Sequence, residues 1–229
     1  IKNMKDIPGT VYRTHSKPEG DFKFLPGFNE IIKSKKDYAL SFGLQHLNTD
    51  PYSSKPLVES YPGEWVVQNI PTLPLSGDDL DFIHELPFKR EPHPIYEKAG
   101  GIKAIEEVRF SIINSRGCYG GCNFCALTFH QGRIIRARSH DSVIREAKKL
   151  IQHPGFKGYI HDVGGPTANF VAPACFKQSQ RGACPTKQCL APNPCKQLEV
   201  DHTSFLTLLR DLRALPGIKK VFIRSGIRF

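Results

Sequence analysis

The chain has 229 residues, 39% hydrophobic and 24% charged, with Lys and Arg outnumbering Asp and Glu by 32 to 22. That length suits one large α/β unit or two smaller ones, and the composition excludes collagen-like, low-complexity and wholly disordered classes. No apolar run approaches the roughly 20 residues of a membrane helix and no secretory pattern opens the chain, so a soluble, cytoplasmic protein without a membrane partner is expected. The formal net charge of +10 favours polyanions such as RNA, or a pocket for phosphates or carboxylates. The basic residues are scattered, as in Lys33, Lys35 and Lys36 or Arg133, Arg136 and Arg138, and form no long block that would mark a nucleic-acid tail.

Eleven of the 18 prolines fall before residue 100, so the first part reads as irregular. Within it, residues 29–47 are expected to be helical with Asn29 as the cap, and residues 65–69 form a short strand. Ser76 caps a helical turn through Asp78, Asp79, Leu80, Phe82 and Ile83. Residues 86–94 read as extended.

From Glu107 onward strand and helix alternate, the mark of parallel βαβ units. Residues 108–113 make a first strand. Ser139 or Asp141 caps a helix that buries Val143, Ile144, Ala147, Leu150 and Ile151 and ends before His153-Pro154-Gly155. Residues 158–163 make a second strand, closed by Gly164-Gly165-Pro166. Asp201 or Thr203 starts a helix running to about Leu215, and residues 219–224 make a third strand. Three parallel strands are therefore expected.

All seven cysteines lie at or beyond Cys118. An odd count without an export signal argues against a disulfide framework and for metal binding or redox chemistry. Cys118, Cys122 and Cys125 sit in the loop after the first strand, with three and then two residues between them. Three soft thiolates suit an iron–sulfur cluster or zinc. No fourth ligand is close, so a cubane cluster here keeps one iron open; Gly120 and Gly121 let the backbone wrap near it. The alternative is a zinc knuckle completed by His130 or a distant cysteine. Cys175, Cys184, Cys189 and Cys195 lie in a loop rich in Pro, Gln and Lys, residues 171–200, where zinc or an auxiliary iron–sulfur cluster would supply folding free energy. His130 and His161 read as packing residues before ligands, and Asp162 either contacts a bound ligand or accepts hydrogen bonds from the glycine turn.

The cysteine loop resembles the radical S-adenosylmethionine (SAM) superfamily, whose signature is three cysteines so spaced, with an aromatic before the last. More closely, residues 116–133, the run Asp162 to Asn169, residues 65–74, the last four cysteines and residues 223–228 resemble the YgiQ family. The resemblance implies an enzyme of unassigned reaction. Its [4Fe–4S] cluster would rest on Cys118, Cys122 and Cys125, and SAM would chelate the open iron and yield a 5′-deoxyadenosyl radical on reduction. It places the backbone of Phe124 beside the adenine and the turn Gly164, Gly165, Pro166 and Thr167 against the SAM amino group. The superfamily's usual glutamate is replaced here by Pro166. Ser225 and Arg228 fall on the expected rim.

The implied architecture is α/β, a truncated, partial (β/α) TIM-type barrel over residues 101–229. A proline-rich segment, residues 1–100, precedes it as the end of an N-terminal domain or as a wrap around the barrel. Only three of about six βα units fit, so a fragment is expected, and its own activity does not follow from its parent's. The implied partners are a reductant such as a flavodoxin or ferredoxin and an unknown substrate, RNA among the candidates. The two rival functions are an RNA-modifying radical SAM enzyme and a non-catalytic, zinc-dependent binding module.

Overall fold

The computed structural model describes residues 4–228. The first stretch is more regular than its prolines imply. It contains β1 (Val11–Thr14), β2 (Lys23–Phe24), α1 (Phe28–Ile31), α2 (Lys35–Leu47), β3 (Leu57–Tyr61) and β4 (Glu64–Gln68). The strands form one sheet in the order β1-β4-β3-β2, antiparallel except for the β2–β3 pair. Pro26, Pro56 and Pro62 lie just outside the strands, where a missing N–H breaks no ladder, so proline density marked turns rather than absent structure. Val58 and its cross-strand partner Val67 are buried on one face, and Leu57 is buried on the other.

The helix expected over residues 29–47 is two helices. Ser34 is extended (φ −133°, ψ 112°), and its hydroxyl accepts from the Asp37 N–H at 3.2 Å, so a new helix is capped there. Asn29 caps nothing and lies inside α1, which starts after Gly27, whose N–H donates to Glu30 Oε2 at 2.7 Å.

Beyond this sheet come α3 (Gly77–Glu85), a 3₁₀ turn at Pro94–Ala99, α4 (Ile105–Val108), β5 (Ser111–Ile113), β6 (Ser115–Arg116) and α5 (Leu127–Gln131). They are followed by β7 (Arg136–Ala137), α6 (His140–Ile151), β8 (Tyr159–Ile160), β9 (Asp162–Gly164), α7 (Phe176–Arg181), α8 (Thr203–Ala214) and β10 (Lys220–Val221). Ser76 and Asp79 form a reciprocal capping box at α3, and Ser139, not Asp141, caps α6. Asp201 sits just ahead of α8; the hydroxyl and N–H of Thr203 hold its carboxyl below the usual aspartate range.

Val108 closes α4 instead of opening a strand, so the first parallel strand begins at Ser111. The second expected strand is split because it changes partner: β8 pairs parallel with β10, and β9 pairs parallel with β5. Hydrogen bonds from His161 N to Phe110 O (3.0 Å) and from Val163 N to Phe222 O (3.1 Å) join the halves. Residues 159–164 are thus the middle of three parallel strands in chain order, with α6 and α8 as the crossing helices. The architecture is mixed α/β, and the described strands make small sheets and no closed barrel.

The chain forms two compact units. One comprises the residues up to Pro74 with Gly120–Arg133 and Phe176–Cys195; the other comprises Leu75–Tyr119, Ile134–Cys175 and the chain from Lys196. The core of the second unit is Phe110 and Ile112, Val143, Ala147 and Leu150 of α6, Ile160 and Val163 of the middle strand, and Phe205, Leu208 and Leu212 of α8.

That unit also buries charge. Glu146, on α6, is paired with both Arg138 and Arg90, and Arg138 is 1% exposed at its side chain. Arg90 further donates to Arg109 O at 2.7 Å, which ties the irregular stretch after α3 to the start of β5. Removing Glu146 strands two cations in a poorly solvated place. Glu146→Gln is expected to lower unfolding free energy by about 3–5 kcal/mol. Glu85→Gln, which breaks only the exposed Arg145 pair, is expected to cost less than about 1 kcal/mol. Urea denaturation of both variants tests this.

Candidate functional site

In the second unit β6 delivers the chain to Cys118 through a turn that only glycine allows. Gly117 has φ 87°, and a Cβ placed on it would overlap the Ile134 carbonyl. Cys118 is buried, with its Sγ 3.7 Å from Thr167 Oγ1. Tyr119 stacks on Phe170 at 3.9 Å between ring centroids, 16° from parallel. These two contacts join the start of the cysteine loop to the segment that follows Gly164-Gly165-Pro166. The structure therefore brings together Cys118 and Thr167, which the sequence nominated for separate reasons.

The glycine pair is dictated by crowding. A Cβ on Gly165 would lie 2.5 Å from Ser115 Oγ and 2.6 Å from Ser115 O, and one on Gly164 would overlap Ser225 Oγ. Ser115 Oγ itself is buried without a hydrogen-bond partner. Asp162 does not serve the glycine turn. Its Oδ1 accepts from the N–H of Arg224 at 2.8 Å and of Ser225 at 3.4 Å, and Ser225 Oγ donates to its other oxygen. Arg228 N donates to Asn169 Oδ1 at 3.0 Å, and Asn169 Nδ2 donates back to Arg228 O at 2.6 Å. Ser225 and Arg228 thus anchor the chain after β10 to the segment carrying Gly164 to Thr167.

Cys122 and Cys125 belong to the first unit, where both line a cavity of about 280 Å³ with Gly121, Asn123, Phe42, His46, Thr128, Phe129 and Gln188. The Cys125 N–H donates to Cys122 O at 3.1 Å, which curls the loop and sets both thiols on one turn. The Phe124 side chain between them is 91% exposed. Phe42, His46 and Phe129 form a ring cluster beside them, with centroids 5.5–6.3 Å apart.

Of the two histidines weighed from sequence, His161 packs against its neighbours, edge-on to Phe110 and with Nδ1 3.2 Å from Glu107 O, while His130 is exposed at the end of α5.

Among the described residues no three Cys, His, Asp or Glu side chains gather as a site for a single metal ion. Cys175 lies in the second unit and Cys184, Cys189 and Cys195 in the first. In the first unit the segment after Cys175 is held by two buried charged residues that sequence reasoning missed. Arg133 donates to Cys184 O at 2.7 Å and Lys187 O at 3.0 Å, while Asp50 accepts from Ala183 N at 2.8 Å. No local motif marks either of them, because their partners are about 50 and 130 residues away along the chain.

The donor set fits a cubane iron–sulfur cluster with an open iron: three thiols within eight consecutive residues and no fourth cysteine before Cys175. Each iron of such a cluster takes one thiolate, so the ligands need not converge on a single point. Gly164 and Gly165 pack against Ser225 and Ser115 of this chain, and Thr167 lies beside Cys118.

The radical SAM N-terminal family matches residues 1–111. A UPF0313 protein of Clostridium perfringens is 53% identical over 230 residues, covering all of this chain and 35% of the relative. A UPF0313 protein of Clostridium botulinum is 49% identical, again over the whole chain and 36% of the relative. The chain therefore belongs to the radical SAM superfamily. Within it, the chain is similar to the UPF0313 proteins, the YgiQ-like family, and it spans about a third of the length of the curated relatives it matches.

The Gly117 turn carries a direct test. Gly117→Ala forces a β-carbon into a left-handed residue and against a carbonyl, so a loss of about 1–3 kcal/mol is expected. Gly132→Ala, also at positive φ but with open space around it, is expected to lose about 1 kcal/mol. Thermal melts of the two variants side by side separate the crowding from the backbone strain.

Proposed function

We propose that the chain is the cofactor-binding part of a radical SAM enzyme. Cys118, Cys122 and Cys125 would hold a [4Fe–4S] cluster, and the backbone at Phe124 and the turn Gly164, Gly165, Pro166 and Thr167 would contact SAM. The observation that carries the reading is the juxtaposition of Cys118 with Thr167 and of Tyr119 with Phe170, which fastens the three-cysteine loop to the glycine turn. When bound, such a cluster would supply the one-electron chemistry of reductive SAM cleavage, the protein supplying position.

The chain's own residues position and shield. Cys118 is buried, which keeps water from that thiol, and the neighbouring Tyr119 is held by its stack on Phe170. The proline in place of the superfamily's glutamate removes a side-chain contact, so on this reading the SAM amino group is assigned to main-chain groups of Gly164 and Gly165. Asp162 fixes the turn after β10 through Arg224 and Ser225. A partial (β/α) barrel is the architecture this reading extends from the three parallel strands, and a small reductant such as a flavodoxin or ferredoxin is the proposed electron donor. The substrate lies outside this proposal.

Anaerobic reconstitution with iron and sulfide, iron and zinc analysis, and electron paramagnetic resonance of the reduced chain form the test. About four irons per chain and a signal perturbed by SAM are expected, with the signal lost in Cys122→Ala. Zinc without any cluster would sink the proposal and favour a metal-stabilised binding module.

A further inference from the structure

The cavity that Cys122 and Cys125 line is closed on its other sides by residues from distant parts of the first unit. Phe42 and His46 come from α2, Phe129 from α5, and Gln188 from the loop after α7. The His46 ring is pinned by its neighbours, stacked on Phe42 at 6.3 Å and edge-on to Phe129 at 5.5 Å. Neither ring nitrogen of His46, nor the side-chain amide of Gln188, makes a hydrogen bond among the described residues. Gln188 is held over the cysteine loop itself: its amide carbon and oxygen lie 3.2 Å from the place a Gly121 Cβ would take.

The backbone behind Gln188 is fixed by buried charge. Arg133 binds the carbonyls of Cys184 and Lys187, and Asp50 binds the N–H of Ala183 beneath Gly182. Both side chains line a cavity shared with two thiols, and each carries an N–H that bonds to none of the described residues and is free to donate to an occupant. No carboxylate lines the cavity, so the arrangement favours an occupant of negative charge and sulfur acceptors.

We propose that His46 and Gln188 are positioning residues that donate N–H hydrogen bonds to sulfur of the cluster held by Cys122 and Cys125, and that they set its reduction potential. This inference rests on the cluster reading above. The physical effect has a sign. Reduction adds negative charge to the cluster, an N–H aimed at its sulfur is worth more in the reduced state, and the donor raises the potential. Phe42 and Phe129 line the same cavity beside His46 and are themselves partly open to solvent.

The variants are Gln188→Met and His46→Phe, which keep side-chain volume and, for His46, a ring to stack while removing the donor. Each is reconstituted anaerobically beside the unaltered chain, its iron content and thermal melt are measured, and its cluster is titrated by spectroelectrochemistry with the reduced resonance signal as a second readout. Full iron content, an unchanged melt and a midpoint shifted to more negative potential in each variant, further in the double variant, are expected. Full iron content with the same midpoint in all four proteins overturns this inference alone. No cluster in the unaltered chain overturns it together with the cluster reading. Loss of iron in the variants with an unchanged melt also overturns it, because the two residues would then be ligands or loop supports and not donors.

Discussion

Between Ser115 and Gly165 there is no room for a side chain: a single carbon added at Gly165 meets both the hydroxyl and the carbonyl of Ser115. The same tightness recurs two residues on, where Gly117 turns in a left-handed conformation against the Ile134 carbonyl. These close approaches determine where the cysteine loop leaves β6 and where the chain leaves β9. Cys118 meets Thr167 and Tyr119 meets Phe170 because both segments depart from adjacent backbone at that point. A larger residue at either glycine would separate the loop from the turn, and the chemistry argued for this chain needs both in one place.

Charge does much of the remaining positioning, in each unit by its own route. In the second unit Glu146 holds Arg138 and Arg90, and Arg90 in turn captures the carbonyls at the entrance to β5. In the first unit Arg133 and Asp50 hold a loop rich in Cys and Pro that has little apolar surface of its own. Buried ions of this kind are expensive to leave unpaired and add modest net stability when paired, so their effect is to specify one arrangement of segments that hydrophobic burial alone would leave loose. The apolar core beneath the three parallel strands supplies the driving force, with α6 and α8 packing Val143, Leu150, Leu208 and Leu212 against Ile160 and Val163.

Several elements were legible in the sequence because their signals are local. The caps at Ser76 and Ser139 need only the next three residues, and the apolar spacing of α6 marked its buried face. Partner exchange was not legible. The six residues from Tyr159 read as one strand because alternation reports exposure, and nothing in it records that the first half bonds to β10 and the second to β5. Apart from β4, expected over residues 65–69, the N-terminal sheet was missed for a related reason: strands of two to five residues carry too little pattern, and prolines that sit in their turns were read as irregularity of the whole stretch. Val108 was drawn into the first strand by its β-branched side chain, although it ends a helical turn.

The sequence alone determined the chemistry available: three thiols, their fixed spacing and the superfamily they belong to. All of these are written in covalent order, and the spacing of ligands along a short loop survives whatever the rest of the chain does. Tertiary structure decided what surrounds those thiols. Thr167 against Cys118, and His46 and Gln188 on the cavity of Cys122 and Cys125, are contacts between residues 49 to more than 140 positions apart in combination. Such neighbours are set by the packing of strands, helices and buried charges, a global balance that no window of sequence contains.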